Sequence, residues 1–156
     1  MTNNDNNLIG KKALDFALFD HNKKEFKLSD FIGKKILLSF HPLAWTGVCA
    51  DQMKSLENNY EIFNDLNTIA VGVNIDSIPS KNAWAKSLDI KNTRLLSDFW
   101  PHGKVAELFN IFREKEGFSE RANIIIDEYQ IIKFMKIYDI SKLPDINEII
   151  DFIKNM

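Results

Sequence analysis

The one cysteine of the chain, Cys49, closes a segment in which the apolar run Ile36-Leu37-Leu38-Ser39-Phe40 breaks at Pro42 and restarts as a helix beyond Ala44-Trp45-Thr46-Gly47. That spacing puts a thiol in the first turn of a helix. The unpaired backbone N–H groups and the positive end of the helix dipole favour an anion there, so the sulfur is expected to serve as a nucleophilic thiolate. Thr46 precedes the thiol by close to one helical turn. Its hydroxyl is expected to cap the helix and to reach either the sulfur or whatever reacts with it. Pro42 restricts the backbone at the strand end and brings no N–H to compete, while the amides of Val48 and Cys49 are donors at the same helix end. His41, ahead of the proline, reads as a pocket-lining residue rather than a general base. With His21 and His102 scattered elsewhere, no spacing resembles a metal site, and neither a metal nor another cofactor is expected.

The elements that must carry these residues show in the periodicity. Leu14 to Phe19 and Lys24 to Leu28 flank Asp20-His21-Asn22 as a hairpin, and Lys34 to Phe40 is continuous enough to be a strand buried on both faces. Met53, Leu56, Tyr60 and Phe63 recur at helical spacing and predict one stripe packed against that strand. Thr68 to Ile75 repeats the strand pattern, and Asp76-Ser77-Ile78-Pro79 opens a helix carrying Ala83, Trp84 and Leu88. Thr93 to Ser97 reads as a short strand and Gly103 to Phe109 as a short helix. Asn123 to Ile126 and Ile131 to Ile137 form a hairpin turning through Asp127 to Gln130, and a last helix starts near Asp145. This order predicts an α/β chain with a central mixed sheet flanked by helices, a thioredoxin-like fold extended by an N-terminal β-hairpin. A doubly wound nucleotide fold would need a phosphate loop that the sequence lacks.

Composition narrows the function classes. The 156 residues, 45% hydrophobic with a formal charge of −2, suit one domain over 8–156 behind a polar, disordered tail over 1–7. No apolar run reaches the roughly 18 residues of a membrane span and no secretory signal is visible, so a cytoplasmic protein with no membrane partner is expected. One cysteine cannot form an internal disulfide. The pairs Lys11-Lys12, Lys23-Lys24 and Lys34-Lys35 are too short and dispersed to bind a phosphate backbone, which argues against nucleic acid. Trp45, Trp84 and Trp100 read as packing residues, with Trp45 also placed for the pocket mouth or a subunit contact. Arg113-Glu114-Lys115-Glu116 reads as a solvated loop.

The segment Pro42-Leu43-Ala44-Trp45-Thr46-Gly47-Val48-Cys49 resembles the Pro-x-x-x-Thr-x-x-Cys signature of the peroxiredoxins, thiol peroxidases of the alkyl hydroperoxide reductase and thiol-specific antioxidant group. Phe16, the strand before Pro42, Trp84 within Ala83-Trp84-Ala85, Leu96-Ser97-Asp98, and Arg121 ahead of the strand Ile124 to Asp127 resemble further landmarks in family order. Within the family, Phe40-His41-Pro42-Leu43-Ala44-Trp45-Thr46 and Ser97-Asp98-Phe99-Trp100-Pro101-His102-Gly103 are most similar to the one-cysteine, alkyl hydroperoxide reductase E type.

The resemblance implies a catalytic set of Cys49, Thr46, Pro42 and Arg121, with Val48, Trp45 and Gln52 at the substrate. Arg121 is nominated by the resemblance alone. Its permanent charge suits a thiolate and a polarised peroxide, and it is preferred to Arg94, read as a solvated strand edge, and to Arg113 in the charged loop. Many peroxiredoxins carry a glutamate where this chain has Gln52, which can bond the guanidinium without offsetting its charge. The implied substrates are hydrogen peroxide or organic hydroperoxides, split as the thiolate attacks one oxygen in line with the O–O bond. Without a second cysteine, the resulting sulfenic acid needs an external thiol: thioredoxin, a glutaredoxin-like protein or a small thiol. A homodimer is implied as well. A peroxide-sensing relay and a non-catalytic thioredoxin-like binding module are the alternatives.

Overall fold

The computed structural model describes residues 5–156. Residues 1–4 of the expected polar tail lie outside the described residues, and the backbone of Asp5–Leu8 forms a 3₁₀ turn. The hairpin follows as β1 (Ala17–Asp20) and β2 (Glu25–Lys27), then β3 (Lys35–Phe40), α1 (Gly47–Asn58), α2 (Tyr60–Asp65), β4 (Thr68–Asn74), α3 (Ile78–Ser87) and β5 (Arg94–Ser97). The second half holds α4 (Lys104–Leu108), β6 (Phe112–Arg113), β7 (Phe118–Ser119), β8 (Arg121–Ile126), β9 (Ile132–Tyr138) and α5 (Ile146–Lys154).

Seven strands form one mixed sheet in the order β2-β1-β5-β4-β3-β8-β9. β3, β4 and β5 are parallel, and β8 and β1 flank them antiparallel. The expected thioredoxin-like layering with an N-terminal hairpin is what forms. Alternation along each strand sorts the side chains between two cores, as a pleated sheet with both faces covered requires. Ile36, Leu38, Phe40, Val71, Val73, Ala122 and Ile124 face one way, toward the hairpin aromatics Phe16 and Phe26 and α4's Val105. Leu37, Leu95 and Ile125 face the other way, beneath α1, α2, α3 and α5.

Three expectations need correction. The stripe Met53, Leu56, Tyr60, Phe63 is not one helix: the chain bends at Asn59, whose side-chain amide donates to the Ser55 carbonyl at 2.8 Å and competes with the helical ladder. Tyr60 is thereby left partly exposed while the other three are buried. Ala83 faces solvent, and the buried face of α3 is formed instead by Lys81, Trp84 and Ala85. The segment 113–116 is solvated at 114–116 as expected, but it tips the β6–β7 hairpin, two residues per strand and too short for a sequence pattern, with Arg113 in β6 paired to Glu116 at 3.2 Å and Glu120 at 3.1 Å.

The topology gathers one end of the sheet. Because β8 runs antiparallel to β3, with Phe40 opposite Ala122, its first residue Arg121 lies at the C-terminal end of β3. The C-terminal end of β4 is beside them, since Phe40 pairs with Val73. At Gly72 a Cβ would collide with Met53 Sδ and crowd Leu95 and His41. The bare backbone there lets α1 lie close on β4, and with it the turn that carries Cys49.

Candidate active site

Cys49 occupies the third position of α1, after Thr46 at the N-cap, Gly47 and Val48, and is 1% exposed. The first intrahelical bond is Ala50 N–H to Thr46 carbonyl, 2.9 Å. The N–H groups of Gly47, Val48 and Cys49 therefore have no partner in the helix itself. Cys49 Sγ accepts from Arg121 Nη1 at 3.3 Å. A buried sulfur is thus met by a permanent positive charge from one side and the start of a helix from the other, a setting for a thiolate.

Arg121 is buried and held at both ends of its guanidinium. Nε and Nη2 fork onto the Ile140 carbonyl at 3.0 and 2.8 Å, and Nη1 also donates to Gln52 Oε1 at 2.8 Å. Gln52 in turn donates through Nε2 to Ser39 Oγ at 2.7 Å and the Phe40 carbonyl at 3.1 Å. Chemistry fixes the orientation of that amide, because the guanidinium can only donate and the carbonyl can only accept. Gln52, expected at the substrate, instead lies buried behind the arginine and steers it. Both rival arginines are engaged elsewhere. Arg94 is no solvated edge: β5 is paired on both sides, and the guanidinium bridges Asp20 at 2.8 Å and lies over the Phe26 ring. Arg113 is taken up by its two glutamates.

Thr46 sits at the N-cap with extended φ −118° and ψ 152°, but its side chain makes no capping bond. The hydroxyl donates to the Leu43 carbonyl at 2.8 Å instead. The left-handed turn at Trp45, φ 66°, folds the chain back over Leu43 and brings that carbonyl to it. With its proton so committed, Thr46 Oγ1 offers lone pairs, suited to accept the O–H of a hydroperoxide rather than to donate to the sulfur. Pro42 is buried beside this turn, Val48 is half-buried and Trp45 is 57% exposed. The Trp45 indole N–H reaches Ser80 Oγ at 3.1 Å.

The opposite wall contains polar groups of which sequence reasoning weighed only His41 for the site. Ala44 N–H donates to Asp76 Oδ2 at 2.7 Å, and the same oxygen accepts from Asn74 Nδ2 at 2.8 Å. Asn74 Oδ1 accepts from the ammonium of Lys81, which is fully buried. Burial pulls the lysine down to about 7, against the pull of Asp76, Cys49 and Asp98. His41 is buried too, with Nδ1 3.2 Å from the Ser39 carbonyl. Burial, the charge on Lys81 and, more weakly, that on Arg121 push it well below the usual histidine range. A signal for Lys81 did exist: it stands three residues before Trp84 and four before Ala85, the spacing of a buried helical face.

The description AhpC/TSA family fits residues 9–135 of the chain. The chain is 32% identical over 138 residues to alkyl hydroperoxide reductase E of Mycobacterium tuberculosis, covering 88% of this chain and 90% of that one. It is 32% identical over 156 residues to the mitochondrial thioredoxin-dependent peroxide reductase of Drosophila melanogaster, covering 94% of this chain and 65% of that one. Among solved structures, reduced Plasmodium vivax 2-Cys peroxiredoxin superposes with a TM-score of 0.86 at 27% identity, over 94% of this chain and 80% of the other.

Proposed function

Because the chain belongs to the AhpC/TSA family, a thiol-dependent peroxidase family, we infer that Cys49 is the atom-transferring thiol and that Arg121, Thr46 and Pro42 build the site around it. The observation that carries this reading is the 3.3 Å contact between Cys49 Sγ and Arg121 Nη1 in the uncapped first turn of α1. The thiolate attacks the nearer oxygen of a hydroperoxide, an S–O bond forms as the O–O bond breaks, and the departing alkoxide or hydroxide takes a proton to leave as alcohol or water. Sulfur is oxidised by two electrons to sulfenic acid and the peroxide is reduced by two. Arg121 and the free N–H groups of Val48 and Cys49 face the charge that moves from sulfur to oxygen. Lone pairs on Thr46 orient the peroxide O–H, and buried Pro42 keeps a competing N–H out of the attack line.

The sulfenic acid condenses with an external thiol, releasing water and leaving a mixed disulfide, and a second thiol exchanges it to restore Cys49. The single cysteine supports that route, since the chain holds no second thiol to do the resolving. The reductant is thioredoxin, a glutaredoxin-like protein or a small thiol. The protein acts as a homodimer in the cytosol, where such thiols are kept reduced. Stopped-flow mixing of reduced protein with hydrogen peroxide and with cumene hydroperoxide tests the assignment. Loss of thiol orders of magnitude faster than for a free cysteine, absent in Cys49→Ser, is the expected result, and sustained turnover with excess reductant separates a catalyst from a single-use relay. A rate like that of an ordinary thiol would refute it.

A further inference from the structure

Lys81 is a lysine with its whole side chain inside the protein, at 0% exposure on the inner face of α3. Such burial is costly unless the charge has a task and a partner. Its hydrogen-bond partner is Asn74 Oδ1. From there a continuous chain of bonds runs out to the segment that bears Thr46. The same Oδ1 accepts from Asp76 N–H at 3.1 Å, Asn74 Nδ2 donates to Asp76 Oδ2 at 2.8 Å, and that oxygen takes the N–H of Ala44 at 2.7 Å. Ala44 immediately precedes Trp45, whose φ of 66° is a strained conformation for a bulky side chain and persists only where its surroundings hold it. One residue later the same chain ends in Thr46 at the head of α1. A second fastening lies beside the first, the Trp45 indole on Ser80, the residue next to Lys81.

We propose that Lys81 is a positioning residue of the peroxide reaction: acting through Asn74 and Asp76, it clasps the backbone at Ala44 and so holds the strained Trp45–Thr46 turn over the thiol. The inference rests on the peroxidase reading of Cys49. The ammonium orients Asn74, which presents its amide hydrogens to Asp76, and the positive charge keeps the Asp76 carboxylate anchored where it receives Ala44. When Lys81 loses its proton the attraction to Asp76 disappears and the clasp loosens. Thr46 then drifts from the position that aligns the peroxide, and in-line displacement does not tolerate a small drift.

The groups facing Lys81 are Asp76 before α3, Cys49 on α1 and Asp98 after β5. His41 at the end of β3 and His21 in the β1–β2 turn feel its charge, and His41 feels that of Arg121 on β8 as well. Of these, His41 and His21 are held below the ordinary histidine range, chiefly by burial, and Asp98 is pushed up to about 6, also by burial. A change just above neutrality is therefore expected from Lys81.

Three variants test this, each followed by stopped-flow oxidation with hydrogen peroxide from pH 5.5 to 9: Lys81→Met, Asp76→Ala, and the two together. Each single change is expected to slow oxidation about tenfold near pH 6.5, in line with a small misplacement of the reacting groups. The double variant is expected to be no slower than either, because both break one chain of contacts. The native rate is expected to fall above pH 7 relative to Lys81→Met, which carries no such limb. Additive losses, unchanged rates, or a falling limb retained in Lys81→Met would overturn the proposal. Asp76→Ala sits on a half-buried turn and tests the clasp even if Lys81→Met folds poorly. Trp45 emission, isolated by subtracting a Trp45→Phe background, reads the turn without any peroxide. A shift above pH 7 that Lys81→Met shows at every pH supports the clasp even were the peroxidase reading to fail, whereas a pH-independent emission in both proteins counts against it.

Discussion

On the β8 side of Cys49 the groups that touch the sulfur are locked: Arg121 is forked onto Ile140, bonded to Gln52, and backed by Ser39 and Phe40 through the same amide. On the α3 side the contacts are of another kind, a left-handed tryptophan, a threonine whose hydroxyl turns back on Leu43, and a tether that ends in a buried lysine. One wall carries a permanent guanidinium charge, over-determined by its hydrogen bonds. The other carries strain and a charge pulled down to about 7 by burial. The contrast matches two demands on a thiol of this class. The nucleophile must stay charged and aimed throughout, while the turn above it must yield, because a sulfur 1% exposed has to meet a second thiol after oxidation.

The sharpest way to break this comparison is to unlock the rigid wall. Arg121→Met removes the charge at 3.3 Å from the sulfur while keeping the side chain's length, and the peroxide rate is expected to drop about 10²–10³-fold, the loss typical of removing one oriented donor to developing charge. Arg121→Lys should recover only part of it, since a single ammonium cannot satisfy Ile140 and Gln52 and reach the sulfur together. Stopped-flow rates at one pH measure both, and equal activity in Arg121→Met would mean that the helix start alone activates the thiol. A smaller effect is expected at Gln52. Gln52→Glu keeps an acceptor for Arg121 but turns a carboxylate oxygen toward the Phe40 carbonyl, where Nε2 now donates at 3.1 Å. That change should cost about 1–3 kcal/mol in urea unfolding, the cost of a buried carboxylate oxygen set against a carbonyl where a donor stood. Oxidation should slow as the carboxylate draws the guanidinium's charge away from sulfur. An unchanged unfolding midpoint would show that Gln52 is not a structural part of the wall.

Much of this was legible in the sequence, for reasons that can be stated residue by residue. Continuous apolar runs gave β3 and β4 because both are buried on two faces, and Asp145 announced α5 as the N-cap whose side chain accepts from Asn147 N–H. The strand, proline and helix sequence around Cys49 located the thiol correctly at the head of α1, because local chain geometry alone puts it there. Arg121 came from resemblance only. Its closeness to the sulfur, 72 positions away in sequence, depends on the antiparallel pairing of β3 with β8, which no local pattern encodes. Thr46 was placed but its bond was not, since the direction of the hydroxyl follows from the left-handed turn at Trp45, a conformation that tertiary contacts impose on an unfavourable residue. Lys81 was passed over because a charged residue in a helix is ordinarily given to solvent. Only the face shared with Trp84 argued otherwise.

The mildest test bears on whether the yielding wall carries a real energetic cost. An ammonium buried at position 81 releases its proton at about 7 in the folded protein, against 10.5 for an ordinary lysine. Below pH 7 both the folded and the unfolded chain keep the proton, and the folded one bears the full cost of burying the charge. Between pH 7 and 10.5 the unfolded chain binds more protons than the folded one, so this residue's contribution to stability rises with pH across that window. Lys81→Met removes the buried charge and keeps its length. At pH 6 it is expected to be at least as stable as the native protein, by up to about 2 kcal/mol, as is common when well-packed apolar atoms replace buried charge. The advantage should shrink as the pH is raised from 7 toward 10, because the native lysine is then neutral. Urea unfolding of both proteins at pH 6 and 9 measures this. A variant more stable yet slower toward peroxide would mean that native stability is given up for the geometry of the Trp45–Thr46 turn. A variant equally destabilised at both pH values would mean that Lys81 serves packing alone, and the contrast between the two walls would reduce to strain at Trp45.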